Sequence, residues 1–196
     1  MKFIVCVKQV PDTSGKVAVK ADGTMDRSSM AAITNPDDRN AVEAALTLKD
    51  QHPEARVVVI SMGPPPAAGM LRELLAMGCD EAVLLTDRKL GGADTWATSS
   101  SIAGALQKIG YDLIICGRQA IDGDTAQVGP QIAEHLGIPQ VSYVEEIAQV
   151  SDEGMVVKRQ FEDRYHMVEI KFPCLITTLA ELNTPRYMSV AGVFDA

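Results

Sequence analysis

Four short runs of unbroken apolar residues, each answered by a helical pattern, constrain this chain more than any other feature. The runs occupy residues 3–7, 57–60, 82–85 and 113–116. Without polar alternation, runs of this length are strands buried on both faces, as in a parallel sheet. Between them, apolar positions recur at helical spacing: Val42, Ala45 and Leu46, then Ala67, Met70, Leu71, Leu74 and Leu75, then Ile102, Ala105, Leu106 and Ile109. Asn35 reads as a helix cap with Pro36 at the first helical position, Asp94 as a second cap, and Gly78 as a helix stop. The alternation implies an α/β fold, a parallel sheet with helices on both faces and right-handed crossovers. Val17 to Lys20 and Thr24 with Met25, around Asp22 and Gly23, read as a small inserted hairpin.

After Pro139 the texture changes. Residues 141–150, 155–161, 165–171 and 174–178 read as short strands with a turn at 151–154, a short antiparallel β appendage to the first unit. The division is residues 1–140 as a nucleotide-binding α/β unit and 141–196 as its β-rich, partner-docking extension. From Leu182 to Ala196 the tail reads as extended or loop, with Pro185 barring a helix around it.

The fourth apolar run opens into Gly117-Arg-Gln-Ala-Ile-Asp-Gly-Asp-Thr-Ala-Gln-Val-Gly129, followed by a helix with Val128, Ile132 and Leu136 inward. A loop entering a helix presents unpaired N–H groups and the positive end of the helix dipole, a seat for phosphate. Gly123 lets the backbone approach closely. Asp122 and Asp124 are the wrong charge beside an anion, unless Asp124 turns inward to cap the helix. By itself the loop fits an ordinary capped turn equally well. Three more loops leave the same sheet edge, at residues 8–12, 61–64 and 91–95, and together they favour a nucleotide crevice and a Rossmann-like adenine-nucleotide fold. Neither Gly-x-Gly-x-x-Gly after the first strand nor a P-loop motif occurs.

Composition excludes further classes. A net charge of −8 argues against a nucleic-acid partner and suits a soluble protein meeting basic partner patches. No apolar run reaches a membrane span, and the amino terminus reads as a strand rather than a leader, so a cytoplasmic setting is expected. Cys6, Cys79, Cys116 and Cys174 are scattered and form no Cys-x-x-Cys pair, and His52, His135 and His166 are isolated, so no metal is expected.

Val7-Lys-Gln-Val-Pro-Asp-Thr13, Asn35-Pro36, Met62-Gly-Pro64, the Gly117 loop and Leu182-Asn-Thr-Pro-Arg-Tyr187 together resemble the β subunit of electron transfer flavoproteins, over nearly the whole chain. Within that family, Lys8-Gln9, Pro11-Asp12, Gly92-Ala-Asp-Thr95 and Asp122-Gly-Asp-Thr-Ala-Gln-Val-Gly-Pro130 are similar to the electron-bifurcating type. That resemblance implies FAD in the β site, with AMP there in the non-bifurcating type. It also implies an α subunit carrying a second FAD, NADH as electron donor, a flavin-dependent dehydrogenase and a low-potential acceptor such as ferredoxin. Family ligand contacts map onto Cys6, Asn35, Pro36, Asp37, Asp38, Met62, Gly117, Arg118, Gln119, Ala120, Ile121, Asp122, Gly123, Asp124, Thr125, Ala126, Gln127 and Val128. Family β subunits continue further, with an arm that wraps the partner, and Arg164 stands where the family often has a small or acidic residue.

Individual residues carry two readings each. Asp94 and Thr95 contact the ribityl or flavin end, or simply cap a helix. Arg118 reaches a phosphate or flavin, or pairs with Asp122 or the partner. Lys8 complements phosphate charge, or is a solvated lysine. Trp96 stacks on a ligand, or packs. Leu182 is expected to be an exposed docking anchor, with Asn183, Pro185, Arg186 and Tyr187 beside it. No nucleophile lies with a base, which suits a protein whose cofactor performs the chemistry. A stand-alone nucleotide sensor or adenylating enzyme is the competing class, and the Ser-Gly-Gly-x-Asp-Ser loop of the latter is absent.

Overall fold

The computed structural model describes residues 1–12 and 31–196; the hairpin expected around Asp22 and Gly23 lies outside them. The four apolar runs become β1 (Lys2–Cys6), β4 (Arg56–Met62), β5 (Glu81–Leu85) and β6 (Leu113–Gly117). The helices between and after them are α1 (Pro36–Gln51), α2 (Ala67–Met77), α3 (Thr95–Ile109) and α4 (Val128–Leu136). A separate two-stranded sheet pairs β2 (Gln9–Pro11) antiparallel with β3 (Ala32–Thr34). The second half supplies β7 (Gln140–Val150), β8 (Gly154–Gln160), β9 (Tyr165–Lys171), β10 (Cys174–Thr178) and α5 (Val190–Asp195).

One eight-stranded sheet runs β5-β4-β1-β6-β10-β7-β8-β9. From β5 to β7 all neighbours are parallel; β8 and β9 add an antiparallel ribbon. The last strand therefore belongs with the parallel part rather than the appendage, because β10 lies between β6 and β7 and pairs with both. Residue alternation along β1 builds both layers of the core. Phe3, Val5 and Val7 pack with Val42, Leu46, Met70 and Leu74 on one face, and Ile4 and Cys6 with Ile102, Leu106 and Ile132 on the other. Each such large side chain, fully buried, stabilises by about 1.5–3 kcal/mol, so the helices are held chiefly by their inward stripes.

From β1 the chain moves outward to β4 and β5, then returns to the opposite side of β1 as β6. That reversal is the topological switch point, where the loops leaving β1 and β6 part and open a crevice. The tail departs from the expected loop in one place: α5 forms where no helix was read. Ser189 caps it, accepting from Gly192 N at 2.9 Å, while Ser189 N donates to Ala76 O at 3.1 Å. Gly192 sits so close to α2 that an added Cβ would stand 2.9 Å from the Ala76 Cα. Six residues carry too weak a local signal, and docking on α2 decides.

Candidate functional site

The first turn of α1 reaches into the switch point and grips the loop after β6. Asn35 does not cap with its side chain. Its Nδ2 instead donates to Gln119 O at 2.8 Å, and its Oδ1 accepts from Ile121 N at 3.1 Å. The Asp38 carboxylate accepts from Lys8 N at 2.8 Å and Gly117 N at 3.2 Å, joining the ends of β1 and β6. Burial pushes the Asp38 carboxyl up to about 7, opposed by those N–H groups and the Asn35 side chain. Asp37 is also raised by burial, with Arg118 acting against the shift. Arg118 Nε approaches Asp37 Oδ2 at 3.4 Å, yet is too poorly aimed to hydrogen-bond. Arg118 thus pairs with neither Asp122 nor solvent alone. Gly117 is required by contact, since a Cβ there would lie 2.7 Å from the Asp38 N.

Beyond Ile121 the loop becomes a cradle. Both acidic charges are occupied: Lys8 Nζ meets Asp122 Oδ1 at 2.7 Å, and Gln119 Nε2 donates to Asp124 Oδ1 at 2.8 Å. Lys8 is therefore a paired lysine, not a freely solvated one. Asp124 does not cap α4, which starts four residues later; Gln127 occupies the cap position and makes no side-chain cap bond. Asp124 and Ala126 adopt φ of 49° and 52°, left-handed values that non-glycine residues hold at a cost of about 1–2 kcal/mol each. Left-handed residues beside right-handed ones turn successive N–H groups to one side, making an anion-binding concavity. The N–H groups of Thr125, Ala126, Gln127 and Val128 have no hydrogen-bond acceptor among the described residues. Nothing stands within 4 Å of a Cβ built on Gly123. Among the described residues the helix start has no side-chain cap and its first donors have no acceptor.

Neighbouring loops extend this cradle. Thr95 Oγ1 donates to Gln127 Oε1 at 3.0 Å, drawing the start of α3 to the start of α4, while Asp94 caps α3 by accepting from Ala97 N at 2.8 Å. Cys6 and Cys116 are register partners on β1 and β6, both buried, and contact with Cys6 together with burial pushes the Cys116 thiol well up. Such thiols are inert at neutral pH. Met62 is half-buried against the α3 and α4 side of the core. The Ser61 hydroxyl beside it is buried without a partner among the described residues, at the crevice end of β4. The only sequence signal was a serine ending an apolar run. Trp96 is 63% exposed and packs its ring edge-on against His135, with the ring centroids 4.5 Å apart.

The docking candidates separate. Leu182 is half-buried against the core rather than exposed, a correction to the sequence reading. Asn183 exchanges bonds with Asn40, at 2.8 Å to its carbonyl and 3.0 Å back from its side chain. Arg186 lies on Glu43 at 3.0 Å and Asp50 at 2.7 Å. Pro185 is half-buried, and Tyr187 is left 91% exposed. Among the described residues no helix is long and apolar enough to cross a membrane.

Backbone donors at a helix start without an acceptor among the described residues, open space at Gly123 and the pairing of Asp122 with Lys8 together suit the phosphates of AMP or the pyrophosphate of FAD. Comparison with known proteins agrees in kind. The model of the electron transfer flavoprotein domain family matches residues 22–193. The caffeyl-CoA reductase-Etf complex subunit CarD of Acetobacterium woodii is 55% identical over 197 residues, covering 100% of this chain and 75% of its own. The electron transfer flavoprotein subunit beta of Clostridium acetobutylicum is 57% identical over 196 residues, with coverage of 100% and 75%. The acryloyl-CoA reductase electron transfer subunit gamma of Anaerotignum propionicum is 57% identical over 199 residues, with coverage of 100% and 74%.

Proposed function

The chain belongs to the electron transfer flavoprotein family, as a β-subunit homologue, and on that premise we propose that it holds FAD at the start of α4 and serves electron bifurcation. The observation that carries this reading is the run of four N–H groups, Thr125 to Val128, without an acceptor among the described residues. They seat the pyrophosphate, aided by the positive end of the α4 dipole. Lys8 removes the repulsion of Asp122, and Gln119 engages Asp124. Cys6 and Met62 flank the adenine side, and Asp94 and Thr95 lie where the ligand runs on past its phosphates. The bound flavin supplies the redox chemistry, accepting electrons from NADH and passing them on singly to an α-subunit FAD with its dehydrogenase and to a low-potential acceptor such as ferredoxin. What supports FAD over AMP is the bond from Thr95 to Gln127, which continues the cradle beyond the phosphates.

The names of relatives as complex and electron-transfer subunits support an obligate α partner. Two measurements test the reading. Denaturing the purified heterodimer and counting the released nucleotides should give two FAD and no AMP; one FAD and one AMP leaves only the ordinary electron carrier. Sedimentation of co-expressed subunits should show a heterodimer, and a nucleotide-loaded β monomer indifferent to the α subunit defeats the partnership.

A further inference from the structure

The side chain of Asn35 has little left to offer a ligand. It is 0% exposed. Nδ2 donates to Gln119 O at 2.8 Å and Oδ1 accepts from Ile121 N at 3.1 Å, the reciprocal pairing one strand offers another across a ladder. The carboxamide also lies beside Asp38, where it favours the charged form of that carboxyl. Its backbone is held too, with Asn35 N donating to Lys8 O at 2.9 Å. One buried residue therefore ties the segment after β1 to the loop after β6. Immediately beyond, Ala120 O accepts from Gly123 N at 3.2 Å and Asp124 N at 2.9 Å, and that turn carries the four free N–H groups.

We propose that the Asn35 carboxamide is a positioning group for the nucleotide: it pairs with residues 119–121 and so sets the direction of the N–H groups of Thr125 to Val128. The proposal rests on the nucleotide reading above. It assigns to this side chain the shaping of the loop after β6, apart from any contact the first turn of α1 makes with the ligand. Asp38 lies beside Asn35 in the first turn of α1, Asp37 next to it in the chain pairs with Arg118, and Lys8 pairs with Asp122 on the loop that Asn35 holds.

The test uses the full chain with its α partner, stripped of nucleotide and titrated calorimetrically with FAD, whose pyrophosphate has no proton to gain between about pH 5.5 and pH 8. In Asn35→Asp a carboxylate oxygen replaces Nδ2 and faces the Gln119 carbonyl, acceptor against acceptor. Relative to wild type, affinity for the β site should fall about thirtyfold at about pH 8, a buried acceptor having lost its donor. The neighbouring acids raise the introduced group, so at about pH 5.5 its proton restores a donor and most of the loss is recovered. Asn35→Ala should be weakened by the same factor at both pH values. Asn35→Asp within threefold of wild type at both, or a loss showing no recovery at the lower pH, overturns the proposal. A wild type that binds neither FAD nor AMP overturns the nucleotide reading and this proposal with it, whereas a binding wild type isolates Asn35. Amide exchange needs no variant. Without nucleotide, Ile121 should be protected while Thr125 to Val128 exchange freely, and those four should gain protection on FAD binding; an unprotected Ile121 overturns the proposal.

Discussion

Gly117 and Gly123 stand on one loop and have opposite reasons to be glycine. A Cβ on Gly117 would meet the Asp37 carbonyl carbon and the Asp38 N, each at 2.7 Å. Gly117→Ala should therefore destabilise by about 1–3 kcal/mol, measured by denaturant unfolding, because backbone rather than a flexible side chain must yield. Gly123 meets nothing within 4 Å. Gly123→Val should leave unfolding unchanged yet empty the β site and halve the flavin of the heterodimer; retention of full flavin would count against the pyrophosphate lying there. Asp38 gives a pH prediction. Burial raises its carboxyl from 3.8 to about 7, so between those values the native state keeps a proton that the unfolded chain has lost. Stability from this group should fall as pH rises through that window and level off above it. Asp38→Asn should flatten that slope in unfolding curves taken across the window, and an unaltered slope would refute the assignment. Asp37, raised in the same direction, leaves a smaller residual slope.

At the scale of elements, α1 does two jobs from its two ends. Its first turn bonds to the loop after β6, and its middle holds the tail. Glu43, buried on α1, accepts from Arg186 N at 2.9 Å as well as from the guanidinium, and Arg186 also reaches Asp50. Arg186→Ala leaves a buried carboxylate with fewer donors. The ion pair is partly open to solvent, which tempers its value, so a loss of about 1–3 kcal/mol is expected. Proteolysis or amide exchange should show the segment from Asn183 onward loosening first. Leu182→Ala should also lower stability, by about 1–2 kcal/mol, since the side chain is half-buried against the core. Should it weaken dehydrogenase docking as well, the effect runs through the set of the tail that presents Tyr187. The sequence marked this segment as distinctive but could not show which residues face inward, because their partners lie 143 positions away.

For the whole molecule, the placement of β10 makes residues 1–140 incomplete. Without it β6 keeps β1 on one side only, and its other, buried apolar edge stays unpaired. A fragment ending at residue 140 should show no cooperative thermal transition, whereas the 196-residue chain should. The sequence alone determined the parallel strands β1, β4, β5 and β6 and the helices α1 to α4 with their inward faces, because each is written in a local period that burial reads directly; α5 and the β2–β3 pair were beyond it. It also placed the loop from Gly117 to Val128 at a sheet edge, since a parallel sheet puts all its carboxyl ends on one side. Only the tertiary structure decided what that loop could do. Asp122 is paired with Lys8, 114 positions away, and the loop after β6 is held by Asn35, 86 positions from Ile121. Pairings at such separations leave no period in the sequence, and they exist only once the sheet has brought the ends of β1 and β6 together.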